Sequence, residues 1–214
     1  MTIVVVDLGT GNLRSVAKAV EHVAGKQSVV VSHLPEVIRD ASRIVLPGQG
    51  AIGTWMKQLE QEHIREVITN ALRNKPVLGI CLGLQALFES STEYAGHTCL
   101  GLLPGKVEHF AQYLNDIDHH LTIPHMGWNN VKQSIGESGA HPLWKGIEDG
   151  ARFYFVHSYF ARCENPAQEA GSCDYGITFT AAAATENIFA TQFHPEKSQH
   201  DGLKLIENFA NWNI

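Results

Sequence analysis

The sequence is short of the features that mark many functional classes. It holds four cysteines in 214 residues, Cys81, Cys99, Cys163 and Cys173, and no two form a C-x-x-C pair. That spacing excludes zinc-ribbon and thioredoxin-type motifs, and reduced, unpaired thiols fit a cytosolic, cytoplasmic protein. Charged residues are 18% of the chain, the formal net charge is -6, and lysine and arginine are scattered. A nucleic-acid role therefore has no electrostatic support. No apolar run is long enough to span a bilayer. The N-terminal residues, Met1 to Asp7, carry neither a basic stretch nor a cleavage site, so a first strand is expected there and not a signal peptide. The twelve histidines include no H-E-x-x-H or similar ligand spacing. The pair His119-His120 lies in a polar loop and reads as solvated. No metal and no cofactor are expected. Repeats, linkers and low-complexity segments are also missing, so residues 1–214 are expected to form one domain.

What is present first is an alternation of strand and helix signals. Ile3 to Val6 is a continuous apolar run of the kind buried on both faces of a sheet. Helical spacing follows from Leu13 to Val23. Short strands are expected at Ser28 to Val31 and Ile44 to Leu46, a helical turn at Pro35 to Asp40, and one amphipathic helix from Leu59 to Leu72. This order argues for an α/β fold with an open, mostly parallel twisted sheet flanked by helices. The second half differs. Gly101 to Asn130 reads as short and irregular. Arg152 to Tyr159, Gly176 to Ala184 and Ile188 to Gln192 read as strands, and a helix closes the chain from Gly202 to Trp212. A smaller, partly antiparallel portion is expected there.

The most informative stretch is Gly79-Ile80-Cys81-Leu82-Gly83. The apolar run Pro76 to Ile80 reads as a buried strand, and Leu82, Leu84, Ala86, Leu87 and Phe88 read as a helix. Cys81 thus sits at a strand-to-helix junction, with glycines two residues to either side. This is the nucleophile-elbow pattern with Cys in place of Ser. The turn pushes the sulfur outward and sets it at a helix N-terminus, where the dipole favours a thiolate. The alternative is a small buried Cys in a βα turn.

A nucleophilic Cys needs a base, and the base an orienting group. His194 follows the strand Ile188 to Gln192, at the strand end where ligands gather in open parallel sheets. Glu196 comes two residues later, with Pro195 fixing the backbone between them. Pro47-Gly48-Gln49-Gly50 ends another strand. Its glycines let backbone N–H groups approach a ligand and form an oxyanion hole; a simple loop is the other reading. Gly9-Thr10-Gly11 lacks the third glycine of a dinucleotide fingerprint, because position 14 is Arg14, and reads as a tight turn.

Together, Pro47-Gly48-Gln49-Gly50, Gly79 to Gln85 and Phe193-His194-Pro195-Glu196 resemble, in that order and across the whole chain, the class I (triad-type) glutamine amidotransferases. Asp7 to Ser15, Pro124 to Asn129 and Tyr154 to Tyr159 resemble the branch serving histidine biosynthesis. The resemblance implies that Cys81 attacks the glutamine side-chain amide, His194 acts as base and then acid, and Glu196 orients the imidazole. It also implies oxyanion and substrate contacts from Gly48, Gln49, Gly50, Leu82, Gln85, His157, Ser158 and Tyr159. For Tyr159 an aromatic core position stands as the alternative. Ammonia then passes to a cyclase subunit, an eight-stranded β/α barrel that takes about 250 residues and must be a separate chain. By resemblance Asn12, Trp128 and Lys197 lie at that interface; a core position is the alternative for Trp128. Many family members carry Val where this chain has Gln49, so the loop's conformational balance is expected to differ. A glutaminase of the pyridoxal phosphate pathway and a stand-alone γ-glutamyl peptidase remain as alternatives.

Overall fold

The computed structural model describes residues 1–9, 13–61, 64–94, 96–114, 121–136 and 139–214. Its first half runs β1 (Thr2–Val6), α1 (Leu13–Val23), β2 (Ser28–Ser32), α2 (Pro35–Asp40), β3 (Arg43–Gly48), α3 (Ile52–Gln61), α4 (Ile64–Asn74), β4 (Val77–Cys81) and the one-turn α5 (Leu82–Gln85). The main sheet has the order β2-β1-β3-β4, then Ile188–Thr191, Thr178–Ala184, Tyr159–Cys163 and Gly105–His109, with Ser90–Ser91 and His97–Thr98 at its edge. Pairings from β2 across to Ile188–Thr191 are parallel. The next three are antiparallel. The fold is the α/β architecture expected, a mixed sheet whose parallel part is covered by helices on both faces.

The apolar run of β1 explains that covering. Ile3 and Val5 belong to the core formed with α1 and the closing helix Gln199–Ala210. Val4 and Val6 belong to the opposite core, with α2, α3 and α4. Alternate residues of a strand point to opposite faces, so a sheet clad on both sides needs an unbroken run. Each side chain so buried contributes roughly 1.5–3 kcal/mol over leaving it exposed. The buried Arg43 at the start of β3 ties down the chain's end: its guanidinium donates to the carbonyls of Phe209 and Trp212 at 3.3 and 2.6 Å. Among the described residues no helix is long and apolar enough to cross a membrane.

Three expectations are corrected. The helix read from Leu59 to Leu72 starts earlier, at Ile52, and ends later, at Asn74, its described residues falling in α3 and α4. The segment Gly101 to Asn130 holds two strands, Gly105–His109 and His125–Asn130. The first is masked in sequence by charge: Glu108 pairs with Lys106 at 3.2 Å and with Arg162 of the neighbouring strand at 3.0 Å. Finally, Arg152 to Tyr159 is not one strand. Arg152–His157 pairs with His125–Asn130 in a separate two-stranded sheet, while Tyr159–Cys163 enters the main sheet. The break at Ser158 sets His157, Ser158 and Tyr159 at the junction of the two sheets.

Candidate active site

Cys81 is the last residue of β4 and turns the chain with φ 55° and ψ -104°, a conformation costly for a residue with a side chain. The flanking glycines are required by packing. A Cβ on Gly83 would stand 1.9 Å from the Leu46 carbonyl oxygen, and one on Gly79 would stand 2.8 Å from the Ala190 Cβ. The junction is therefore the tight elbow anticipated, but Cys81 is buried and not pushed out to the surface; it borders a cleft instead. The helix beyond it is shorter than anticipated: α5 has four residues, so its macrodipole is small. What it offers instead is the unbonded amides of a first turn.

Ile188–Thr191 lies parallel to β4, with Thr191 beside Ile80. Both strands therefore end on the same side, and the residues after them meet. His194 is fixed by its N–H on the Tyr154 carbonyl at 2.9 Å, and its own carbonyl accepts from the Ser198 hydroxyl at 2.7 Å. Pro195–Lys197 forms a single 3-10 turn, which folds Glu196 back toward the ring. Glu196 Oε1 lies 2.9 Å from His194 Nδ1. His194 Nε2 and Glu196 Oε2 are buried without a well-formed hydrogen bond. Burial opposes the imidazolium, but the Cys81 sulfur and then the Glu196 carboxylate outweigh it and raise His194 to about 10. The favoured cation is the form that pairs with a thiolate.

Cys81 and His194 meet at a cleft of about 330 Å³ that is also bordered by Gln49, Gly50, Leu82, Gln85, His157, Ser158, Tyr159 and Lys197. Gly48 stands apart from it. It lies in β3 beside Cys81, where a Cβ would strike the Trp55 indole and Leu82. Glu196 borders a small cavity behind the cleft, together with Gln49. Gln85 faces the cleft but is already held, donating to the Tyr159 carbonyl and to Gln192 Oε1, both at 3.0 Å. Tyr159 is not a core aromatic; it is partly exposed and meets His109 edge-on, with ring centroids 4.6 Å apart. Trp128 is not in the core either. It is 37% exposed and lies edge-on to Tyr154, with Lys197 Nζ 5.7 Å from the centre of that ring. Asn12 lies outside the described residues, as do Thr10, Gly11, His119 and His120. Among the described residues, a larger open groove of about 780 Å³ between α2 and α4 is lined by no cysteine or histidine.

Two residues at the site escaped the sequence reading. Glu93 borders the cleft and accepts from the Ile52 N–H at 2.6 Å through Oε2. Gln192 is wholly buried, and its amide nitrogen approaches Cys81 Sγ at 3.7 Å. Glu93 follows a polar loop with no motif. Gln192 lies beside Phe193-His194, and nothing in its spacing distinguishes it.

The arrangement is one that can generate a thiolate beside a cationic imidazole in a cleft sized for an amino acid. The family model for "Glutamine amidotransferase class-I" matches residues 4–212. The chain belongs to the class I glutamine amidotransferases. Relatives carry the name imidazole glycerol phosphate synthase subunit HisH. One from Thiobacillus denitrificans is 54% identical, covering 99% of this chain and 91% of its own. One from Nitrosomonas europaea is 50% identical, covering 99% and 98%. A solved glutamine amidotransferase from Thermotoga maritima has the same fold, with a TM-score of 0.63 at 15% identity over 99% of this chain and 83% of its own. The elbow, the parallel strand ends and the cleft are thus features of an amidotransferase fold.

Proposed function

We propose that this chain is the glutaminase subunit of an imidazole glycerol phosphate synthase of histidine biosynthesis, cytoplasmic and working as one domain beside a separate cyclase subunit, HisF. The observation that carries the chemistry is the meeting of Cys81, on its elbow, with a His194 held by Glu196. The relatives' names support the pathway. Glutamine enters the cleft side chain first. The Cys81 thiolate forms a bond to the amide carbon, and the resulting oxyanion is received by backbone amides at Leu82 and in the Gln49–Gly50 loop. Each such donor is worth about 3 kcal/mol of barrier. His194 gives its proton to the departing nitrogen, so the C–N bond breaks and ammonia leaves a glutamyl thioester. Water then attacks that thioester with His194 as base; glutamate departs and the thiolate is restored. Glu196 holds the ring in the required tautomer and supports its cationic form. Glu93 offers the carboxylate that the substrate's α-ammonium group needs. Gln85, His157, Ser158 and Tyr159 shape the remaining wall.

The exposed Trp128 on the half-buried Tyr154, with Met126 at 65% exposure on the same strand as Trp128 and Lys197 at the cleft's rim, forms the surface for the cyclase barrel, with Asn12 assigned to the same interface. An apolar aromatic patch rimmed by a cation suits a protein partner. The test is a glutaminase assay with and without the barrel subunit and its phosphorylated ribulosyl ligand. Glutamate release that depends on the mixture, and that is lost in Cys81→Ala, is the expected result. Hydrolysis unaffected by the barrel, or retained by Cys81→Ala, overturns the reading.

A further inference from the structure

We infer that two hydrogen-bonded arms converging on the Tyr159 carbonyl hold Gln192 with its amide N–H on the Cys81 sulfur: Gln85 orients Gln192, making Gln192 a catalytic residue, and His125 is a positioning residue that fixes the His157 tautomer anchoring that carbonyl. The inference deepens the glutaminase reading and rests on it.

The direction of every link follows from one fixed point. The Tyr159 carbonyl can only accept. His157 Nδ1 lies 2.7 Å from it, so Nδ1 carries the proton. In the neutral ring Nε2 is then an acceptor, and it faces His125 Nδ1 at 3.0 Å. His125 Nδ1 is therefore the donor, and its Nε2 accepts from the Asn129 amide nitrogen at 3.3 Å. The second proton of that Asn129 amide goes to the Asp174 carbonyl at 2.8 Å. On the other side of Tyr159, the Gln85 amide nitrogen divides its two protons between the Tyr159 carbonyl and Gln192 Oε1. The Gln192 oxygen is thereby committed, and its nitrogen is left pointing at Cys81 Sγ. A flipped Gln192 would set nitrogen against nitrogen at Gln85 and a carbonyl oxygen against the sulfur.

Gln85, His125, His157 and Gln192 are all buried. Wrong pairings are costly in such surroundings, because water cannot repair them. His125 is also clamped in place, stacked on Tyr175 and Phe155 with ring centroids 4.0 and 4.8 Å away. Burial keeps both rings neutral: His125 is lowered to about 4, and His157, by burial and then by the neighbouring His125, to about 3. The Gln192 donor favours the ionised sulfur that attacks.

The test uses the complex with the cyclase subunit and compares Gln192→Met, His125→Phe and His125→Asn with wild type. Labelling of Cys81 by iodoacetamide is followed against pH, with Cys81→Ala as background. The other thiols interfere little, since burial pushes Cys99 to about 11, Cys173 to about 12 and Cys163 upward. Gln192→Met and His125→Phe are expected to slow labelling near neutral pH, and to lower glutaminase kcat, by about tenfold each, with KM little changed. His125→Asn, whose amide N–H can stand in for Nδ1–H, is expected to recover most of both. Wild-type labelling and turnover in folded His125→Phe and Gln192→Met would overturn the inference. If those variants do not fold, imidazole nitrogen resonances of the wild-type complex decide. Protons on Nδ1 of both rings uphold the arrangement, and a proton on Nε2 of either breaks it. A wild-type complex that labels as described but releases no glutamate would sink the glutaminase reading and leave the arrangement intact.

Discussion

Glu196 Oε1 stands 2.9 Å from His194 Nδ1, and both side chains are almost wholly withdrawn from water. A buried carboxylate at that distance fixes the imidazole with its proton on Nδ1 and adds to the forces that keep the ring cationic. Glu196→Gln keeps the shape and removes the charge. Glutaminase kcat in the complex is expected to fall at least about a hundredfold while the fold survives. Steady-state glutamate release at saturating glutamine measures it, and near wild-type turnover would refute the assigned role.

Glu93 is predicted to act on binding more than on turnover. Glu93→Gln keeps an oxygen for the Ile52 N–H but loses the charge that faces the substrate's ammonium group. KM for glutamine is expected to rise about tenfold or more, with kcat changed much less. Initial rates over a range of glutamine concentrations separate the two constants.

The elbow predicts a contrast between glycines. In Gly83→Ala the new Cβ falls 1.9 Å from the Leu46 carbonyl oxygen, and α5 must move away from β3. A loss of at least about 3 kcal/mol in unfolding free energy is expected. Among the described residues Gly136→Ala meets nothing closer than 3.9 Å, and it is expected to stay within about 0.5 kcal/mol of wild type. Urea unfolding of both proteins checks the pair.

Trp128→Ala should leave the chain's own machinery intact and damage assembly. The side chain sits on the exposed face of its strand, away from the core. Affinity for the cyclase subunit is expected to fall by about 2 kcal/mol or more, while labelling of Cys81 in the isolated chain is unchanged. Titration of one subunit with the other gives the first quantity. Equal affinity of variant and wild type would remove Trp128 from the interface.

Acid sensitivity is predicted from histidines that fold in the neutral state. Burial lowers His125 and His141 to about 4 and His157 to about 3. An unfolded histidine titrates near 6.5, so below that value the unfolded chain binds protons the folded chain refuses. This contribution to stability is full above about pH 6.5 and is lost as pH falls toward 4. His141 offers a clean test, because its Nδ1 accepts the Leu143 N–H at 3.2 Å and Asn can take over that acceptor. Between pH 7 and pH 5 the wild type is expected to lose about 2 kcal/mol more than His141→Asn. Denaturant unfolding at the two pH values measures the difference.

The legible parts of the chain are those where local chemistry and tertiary role coincide. Ile3 to Val6 reads as a doubly covered strand because nothing else needs four consecutive β-formers. Gly79 to Gly83 reads as an elbow because two glycines at that spacing have little other use around a cysteine. The strand Gly105–His109 was missed because Lys106 and Glu108 look like a solvated loop until Arg162 is brought alongside.

Residue order alone determined which groups are present and which local turns hold them: a sulfur on a tight βα junction, an imidazole and a carboxylate joined through Pro195, and glycines at strand ends. Tertiary structure decided which of them meet. Parallel pairing of Ile188–Thr191 with β4 brings His194 to Cys81. The split at Ser158 opens the cleft. The Tyr159 carbonyl aligns Gln85 and Gln192. Distances between segments far apart in the chain depend on how sheets pair and pack, and no local propensity encodes them.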